Sequence, residues 1–387
     1  MESNGVVIDN CDFAGSDGSI SVRINASAVK ITHNWFEFGP NVGGTHIVQV
    51  DGSSLIAQNH IGNTRTGGNQ IEIQGGKAII AGNTINGANA SAIVISTGGT
   101  EDWTVITGNQ ISNFKNYAVE VNGGIETVIV GNLFYSTPGA NPSGHITGTK
   151  SYIVVGNTFR SSDVDDIYAS DGIGCRLFAN NRVYRMGGAF NGALYVGNII
   201  EGFGTAATGL YGICAIGNWV TNVENGIQCS VIISNNYVSD ANTDGIITRG
   251  NDVMIKNNIV RNSGRYGIRL RTVDSGARVI GNDVSGSGTA DYQLDHTPAI
   301  MKDNIGYPTE NSGTATIANG EWLPHGLVGT PTVVTVTTLT PTYDGVPVVV
   351  GVASKNATHI QISAYWINGT AITDDAIDIS WYAEYKP

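Results

Sequence analysis

Glu72 and Glu120 occur in matched surroundings, Ile71-Glu72-Ile73-Gln74-Gly75-Gly76 and Val119-Glu120-Val121-Asn122-Gly123-Gly124. Strict alternation puts each glutamate on the face opposite its apolar neighbours. If those neighbours form a core, both carboxylates project outward. Two such groups can share proton transfer, one protonating a leaving oxygen while the other activates water. A separation of about 6.5–9.5 Å suits inverting glycoside hydrolysis. Solvated glutamates on a polar face would look the same in sequence. Tyr168 follows further along, close to the acidic residues Asp163, Asp165, Asp166 and Asp171. Such a cluster could hold Ca²⁺ through its hard oxygens, or simply form a polar loop.

A second group has the opposite charge. Residues 249–278 hold Arg249, Lys256, Arg261, Arg265, Arg269, Arg271 and Arg278, seven of the chain's twenty basic residues. Only Asp252 and Asp274 oppose them, a local net of +5 in a chain of net charge −12. Guanidinium forks match planar carboxylate or sulfate groups. With Asp244, Tyr266, Asp295 and His296 nearby, this end could support proton abstraction beside a uronate carboxylate. The alternative is a solvated or subunit-facing basic patch.

Positioning these groups needs a frame, and the frame is a repeat. The chain of 387 residues has 52 Gly and 38 Asn, and only 13% of its residues are charged. Ordinary domains carry about 7% Gly and roughly 25% charged residues. Helix bundles and coiled coils are thereby excluded, and a hydrophobic content of 41% argues against disorder. One Asn recurs in fourteen similar segments, among them VVIDNCDF, AIIAGNTI, TVITGNQI, YIVVGNTF and AIMKDNI. The residues are Asn10, Asn34, Asn59, Asn83, Asn109, Asn132, Asn157, Asn181, Asn198, Asn218, Asn236, Asn258, Asn282 and Asn304, spaced 17 to 26 apart. Gly precedes seven of them, where a left-handed turn costs little. Each segment is then a short alternating strand that ends in a sharp turn. Coils stacked about 4.8 Å apart set each Asn above the last, so that the amides join in a ladder. Glu72 and Glu120 fall two coils apart, roughly 9–10 Å.

The Asn ladder and period resemble the right-handed parallel β-helix of the pectate-lyase-like superfamily over residues 4–307. The resemblance implies long glycans lying along the sheet that follows the variable loops. It implies little about chemistry, because solenoids host many functions. In that frame one outward column reads Arg23, Gln49, Glu72, Val94, Glu120, Tyr168, Gln228, Ile247, Arg269 and Gln293. A second reads Asn25, Asp51, Gln74, Ser96, Asn122, Ser170, Ser230, Arg249, Arg271 and Asp295. Asn242-Thr243-Asp244-Gly245 is similar to a short motif of the polygalacturonase family, whose Asp is catalytic. The next station departs from that family. Gly264-Arg265-Tyr266 stands where Gly-Asp-Asp is expected, and no Gly-His-Gly follows, which leaves Asp244 a turn-stabilising alternative.

From Ser312 the repeat gives way to longer strands rich in Thr, Val and aromatics, such as TPTVVTVTTLTP and AIDISWYAEY. The run GTATIANGEWLPHGLVGTPTVVTV with ISWYAEY resembles C-terminal modules of phage tail fibres and tailspikes. That implies a cap on the helix end and a homotrimer. Trp322, Trp366 and Trp381 would serve core packing or stack on a glycan.

The expected fold is all-β: a right-handed parallel β-helix of 13–14 coils over residues 1–307, then a small antiparallel β-sandwich over 308–387. The expected function is polysaccharide binding and degradation, by a lyase or glycoside hydrolase of the tailspike type. Glu72, Glu120, Asp244 and Arg269 are the catalytic candidates. Tyr168, Arg249, Tyr266, Arg271, Asp295 and His296 are the substrate contacts, and Asp163, Asp165 and Asp166 the Ca²⁺ candidates, with no cofactor required. The alternatives are a non-catalytic structural or receptor-binding fibre, a cell-surface protein, or a uronan epimerase. The acidic balance argues against a nucleic-acid partner, and no apolar run approaches membrane-spanning length. The four cysteines lack metal-like spacing. The first residues do not read as a signal peptide, and an extracellular or virion-associated location is expected.

Overall fold

A computed structural model describes residues 5–15, 20–38, 45–64, 68–96, 102–136, 145–161, 168–170, 174–185, 187–202, 208–271, 275–343, 345–373 and 375–386. No helix occurs among them. A typical coil has three short strands. Ile71–Ile73 passes through a glycine corner into Lys77–Ala81, and a tight turn at Gly82-Asn83 leads into Thr84–Ala88. The first and second strands of successive coils join one bent 22-stranded parallel sheet, and the third strands form a 13-stranded one. Parallel strands joined in this way wind right-handed, and the chain is a right-handed parallel β-helix.

Apolar side chains at the inward positions stack coil upon coil. Ile56, Ile80, Ile106 and Ile129 are fully buried along the second strands, as are Phe134 and Phe159, whose rings stack at 4.9 Å in the third. Each buried isoleucine contributes about 1.5–3 kcal/mol.

The ladder runs unbroken from Asn34 to Asn304. Asn132 donates its backbone N–H and its Nδ2 to Asn157 Oδ1 at 2.9 and 3.0 Å. Asn157 donates the same pair to Asn181 Oδ1 at 2.9 and 3.1 Å, and its Nδ2 also reaches the Ile129 carbonyl at 2.9 Å. Expectation and structure differ at the first rung. There the bond to Asn34 Oδ1 comes from the backbone N–H of Cys11, at 2.9 Å. Asn10 has a φ of 54° and takes the left-handed place that Gly82, with a φ of 63°, fills further on. Asn tolerates that conformation, so its presence alone does not fix which of two adjacent places it occupies.

Residues beyond the helix form two antiparallel sheets. Glu310–Ala318, Ala376–Glu384 and Val333–Thr338 make one, with Ala376–Glu384 in the middle. Trp322–Pro324, His359–Trp366, Val346–Lys355 and Thr342–Tyr343 make the other. They enclose a common core that includes Ile317, Ile360, Ile379 and Trp381. Trp381 is buried and Trp366 packs against that core, whereas Trp322 is exposed.

Candidate functional site

The first strands carry Glu72, Glu120 and Arg269 on their outward face. Register aligns Val48, Glu72, Val94, Glu120 and Thr147 in successive coils. Glu72 and Glu120 are thus two coils apart, about 9–10 Å at the spacing of neighbouring strands. Gln74 Nε2 donates to Glu72 at 2.7 Å, and Asn122 Nδ2 donates to Glu120 at 2.6 Å. The repeated Glu-x-amide pattern therefore orients each carboxylate by the side chain two places on. Ser91 Oγ adds a bond to Glu120 at 2.9 Å. Neither glutamate is ion-paired among the described residues. Val94, only 8% exposed, is the apolar floor between them.

Two expected members of the column are displaced. Gln49 pairs with Ile73 and is fully buried, so Val48 takes its outward place. Its Nε2 donates to the Gly75 carbonyl at 2.9 Å, which satisfies the amide inside the corner. Glu120 pairs with Thr147, while Ser170 pairs with Ile146 and Tyr168 with Gly187. Register therefore takes Tyr168 off the line that carries Glu120. Asp163, Asp165 and Asp166 lie outside the described residues. Among the described residues no group of three acidic, His or Cys side chains could hold a metal ion.

Further along, the column reads Tyr211, Gln228, Ile247, Arg269 and Gln293. Here the charges close on one another. Asp244 is fully buried, and Arg265 meets it with both arms, Nε to Oδ1 at 2.7 Å and Nη2 to Oδ2 at 2.6 Å. Arg269 Nη1 lies 3.8 Å from Asp244, while its Nε and Nη2 each reach Asp295 Oδ2 at 2.9 Å. Gln293 Nε2 donates to the other Asp295 oxygen at 2.6 Å. Both guanidinium groups flank the Tyr266 ring, at 5.1 and 5.7 Å from its centroid. Hydrogen bonding to Asp244 raises Arg265 above its ordinary value, and the Gln293 amide with Arg269 holds Asp295 below its own. A carboxylate gripped in this way is an anchor for arginines. His296 is half-buried beside Asp295 in sequence.

Arg249 and Arg271 are in a different state. Neither is ion-paired among the described residues. Arg249 is exposed, lies 4.1 Å over the Tyr211 ring and donates from Nη1 to Gln228 at 3.2 Å. A shallow cleft of about 420 Å³ opens there, with Arg176, Tyr211, Ser230 and Arg249 in its lining. Sequence reasoning missed Tyr211 and Arg176. Tyr211 carried a usable signal, since Leu210-Tyr211 repeats the inward–outward order of Ile227-Gln228. Arg176 sits where register slips between Tyr152 and Ile153, and alternation alone does not find it.

The family model described as "Right handed beta helix region" matches residues 1–134. No curated protein sequence matches the chain. Among solved structures, the periplasmic alginate epimerase AlgG is 13% identical over 72% of this chain and 75% of its own, with a TM-score of 0.45. The Dettilon tailspike protein gp208 is 12% identical over 98% and 86%, with a TM-score of 0.34. The tailspike gp49 of Acinetobacter baumannii bacteriophage Fri1, a capsular polysaccharide depolymerase, is 8% identical over 100% and 87%, with a TM-score of 0.35. At these identities and scores the likeness carries nothing about chemistry.

Proposed function

We propose that the protein binds an acidic polysaccharide along the outward column of its first strands and hydrolyses it with Glu72 and Glu120. The observation that carries the proposal is the distribution of charge along the outward column and just beside it. Among the described residues Arg249 and Arg271 are cations without a carboxylate partner, on a chain of net charge −12. They suit carboxylate or sulfate groups, with Tyr211 as a ring for the sugar face. Glu72 and Glu120 are carboxylates of the column that no cation pairs with among the described residues, and they are the acid–base pair of this proposal. Four coils separate Glu120 from Tyr211, about 19 Å at strand spacing. Only a polymer reaches both.

β-Elimination is the weaker alternative, because the two carboxylates at the arginine-rich end, Asp244 and Asp295, are both tied to guanidinium groups. Assembly as a homotrimer and an extracellular or virion-borne location belong to the same proposal. The test is calorimetric titration of the full chain with acidic and neutral polysaccharides of matched length. Binding of acidic polymers alone, weakened by salt, supports it. Equal affinity for the neutral polymers overturns it. Binding without cleavage would favour a receptor-binding fibre.

A further inference from the structure

Seven Asn-Gly bonds occur in the chain, and six of them lie within the described residues. Such a bond is open to self-modification, because glycine has no side chain to keep its nitrogen away from the asparagine amide. The glycine nitrogen attacks the side-chain carbonyl carbon of the asparagine, and a succinimide ring closes. Ammonia leaves with the proton that the nitrogen gives up. Water then opens the ring to aspartate or isoaspartate. A nitrogen whose N–H is already held in a hydrogen bond is fixed in place and reacts only after local opening.

The fold holds most of these bonds. Gly192 N–H donates to Tyr195 Oη at 2.7 Å, and Gly226 N–H to the Asp244 carbonyl at 2.9 Å. Gly320 and Gly369 donate to the Ile362 and Trp366 carbonyls, each at 2.8 Å. At Asn86-Gly87 the side chain is gripped, since Asn86 Oδ1 accepts from Asn113 Nδ2 at 2.6 Å and from Ser112 Oγ at 3.2 Å. Asn122-Gly123 differs from all of these. Gly123 N–H meets no acceptor among the described residues, and neither does any donor meet Asn122 Oδ1. Asn122 is exposed, so water reaches the ring that would form. The matching corner two coils back carries Gln74-Gly75, whose longer side chain closes a larger and less favourable ring.

We propose that Asn122-Gly123 is a site of spontaneous deamidation in the folded protein, and that the reaction disables the glutamate beside it. Asn122 Nδ2 donates to Glu120 Oε1 at 2.6 Å, so the amide that is lost is one that orients this carboxylate. A second carboxylate takes its place at contact distance. Two carboxylates sharing a site do not both ionise readily, and the donor that fixed the Glu120 geometry has gone. Isoaspartate shifts the group further, because it routes the backbone through the side-chain carbon. Glu72 keeps its own amide partner, Gln74. The loss of cleavage rests on the proposed hydrolytic function, whereas the modification itself does not.

Peptide mass spectrometry of the full chain, kept folded at mildly alkaline pH, tests the proposal. Asn122 should convert about tenfold faster or more than the other Asn-Gly bonds of the described residues, which wait on local opening. In urea all should convert at similar rates. An Asn122 that stays an amide in the folded chain, or another of these bonds converting first, overturns the proposal. Asn122→Asp, which installs the product, should slow cleavage of an acidic polymer about ten- to hundredfold with unchanged circular dichroism. Aged wild-type protein gives the same readout without a substitution, its rate falling in step with the converted fraction. Full activity in both overturns the disabling of Glu120. A wild type that cleaves nothing while Asn122 still converts first overturns the proposed function, and with it the disabling, and leaves the modification standing.

Discussion

Arg265 holds Asp244 with both ends of its guanidinium, at 2.7 and 2.6 Å, and buries the carboxylate completely. The pair joins two neighbouring coils and aims Arg269 at Asp295. Under the proposed function Asp244 acts by positioning the arginine-rich end.

Asp244→Asn should lower thermal stability by about 2 kcal/mol, the value of a charged hydrogen-bonded contact. The loss is capped because Arg265 is itself 45% exposed and screened by solvent. Acidic-polymer binding should weaken in step, as read by differential scanning calorimetry beside titration. A catalytic Asp244 would instead lose turnover with the melting temperature unchanged.

Arg249→Ala and Arg271→Ala should each weaken binding of an acidic polymer by about five- to tenfold at low salt, and by less as salt screens the contact. A neutral polymer should bind as before. Calorimetric titration at two ionic strengths reads both effects.

His46 gives the fold a pH dependence. Burial is the main cause that pushes its pKa down to about 4, against its hydrogen bond with the Gly62 carbonyl. Between pH 6.5 and 4 the unfolded chain binds a proton that the folded chain does not, so stability falls as pH falls through this window. The loss approaches about 3 kcal/mol at the acid end. Urea unfolding at several pH values should show the slope, and His46→Gln should flatten it.

The ladder and the residue beside it should respond differently. Asn157→Ala leaves the Asn132 donors and the Ile129 carbonyl unsatisfied inside the stack. Several lost partners at about 1–3 kcal/mol each make this a severe loss. Asn10→Ala should cost only about 1 kcal/mol of left-handed strain. Denaturant midpoints of the two variants compare them directly.

Much of the fold was legible because one asparagine and one alternation recur, and identical coils must stack. The outward places of Glu72, Glu120 and Arg269 followed from that alternation. What stayed hidden depends on register between strands. Gln49 turned inward because Val48, next to it in an apolar run, pairs with Glu72. Cys11 took the first rung because Asn10 suits the neighbouring left-handed place equally well. The Asp244–Arg265 pair joins residues 21 apart in sequence, and nothing in either local segment announces it. Tyr211 lay just past a stretch where short coils blur the alternation.

Glu72→Gln and Glu120→Gln each keep the shape of the side chain and remove its acid–base chemistry. With an acidic polysaccharide, the wild type should release new reducing ends and no unsaturated uronate, detected by ultraviolet absorbance. Each variant should lose about 10²–10⁴-fold in that rate while binding the polymer as tightly as before. Undiminished cleavage by either variant, or an unsaturated product from the wild type, would mean that Glu72 and Glu120 do not hydrolyse the polymer.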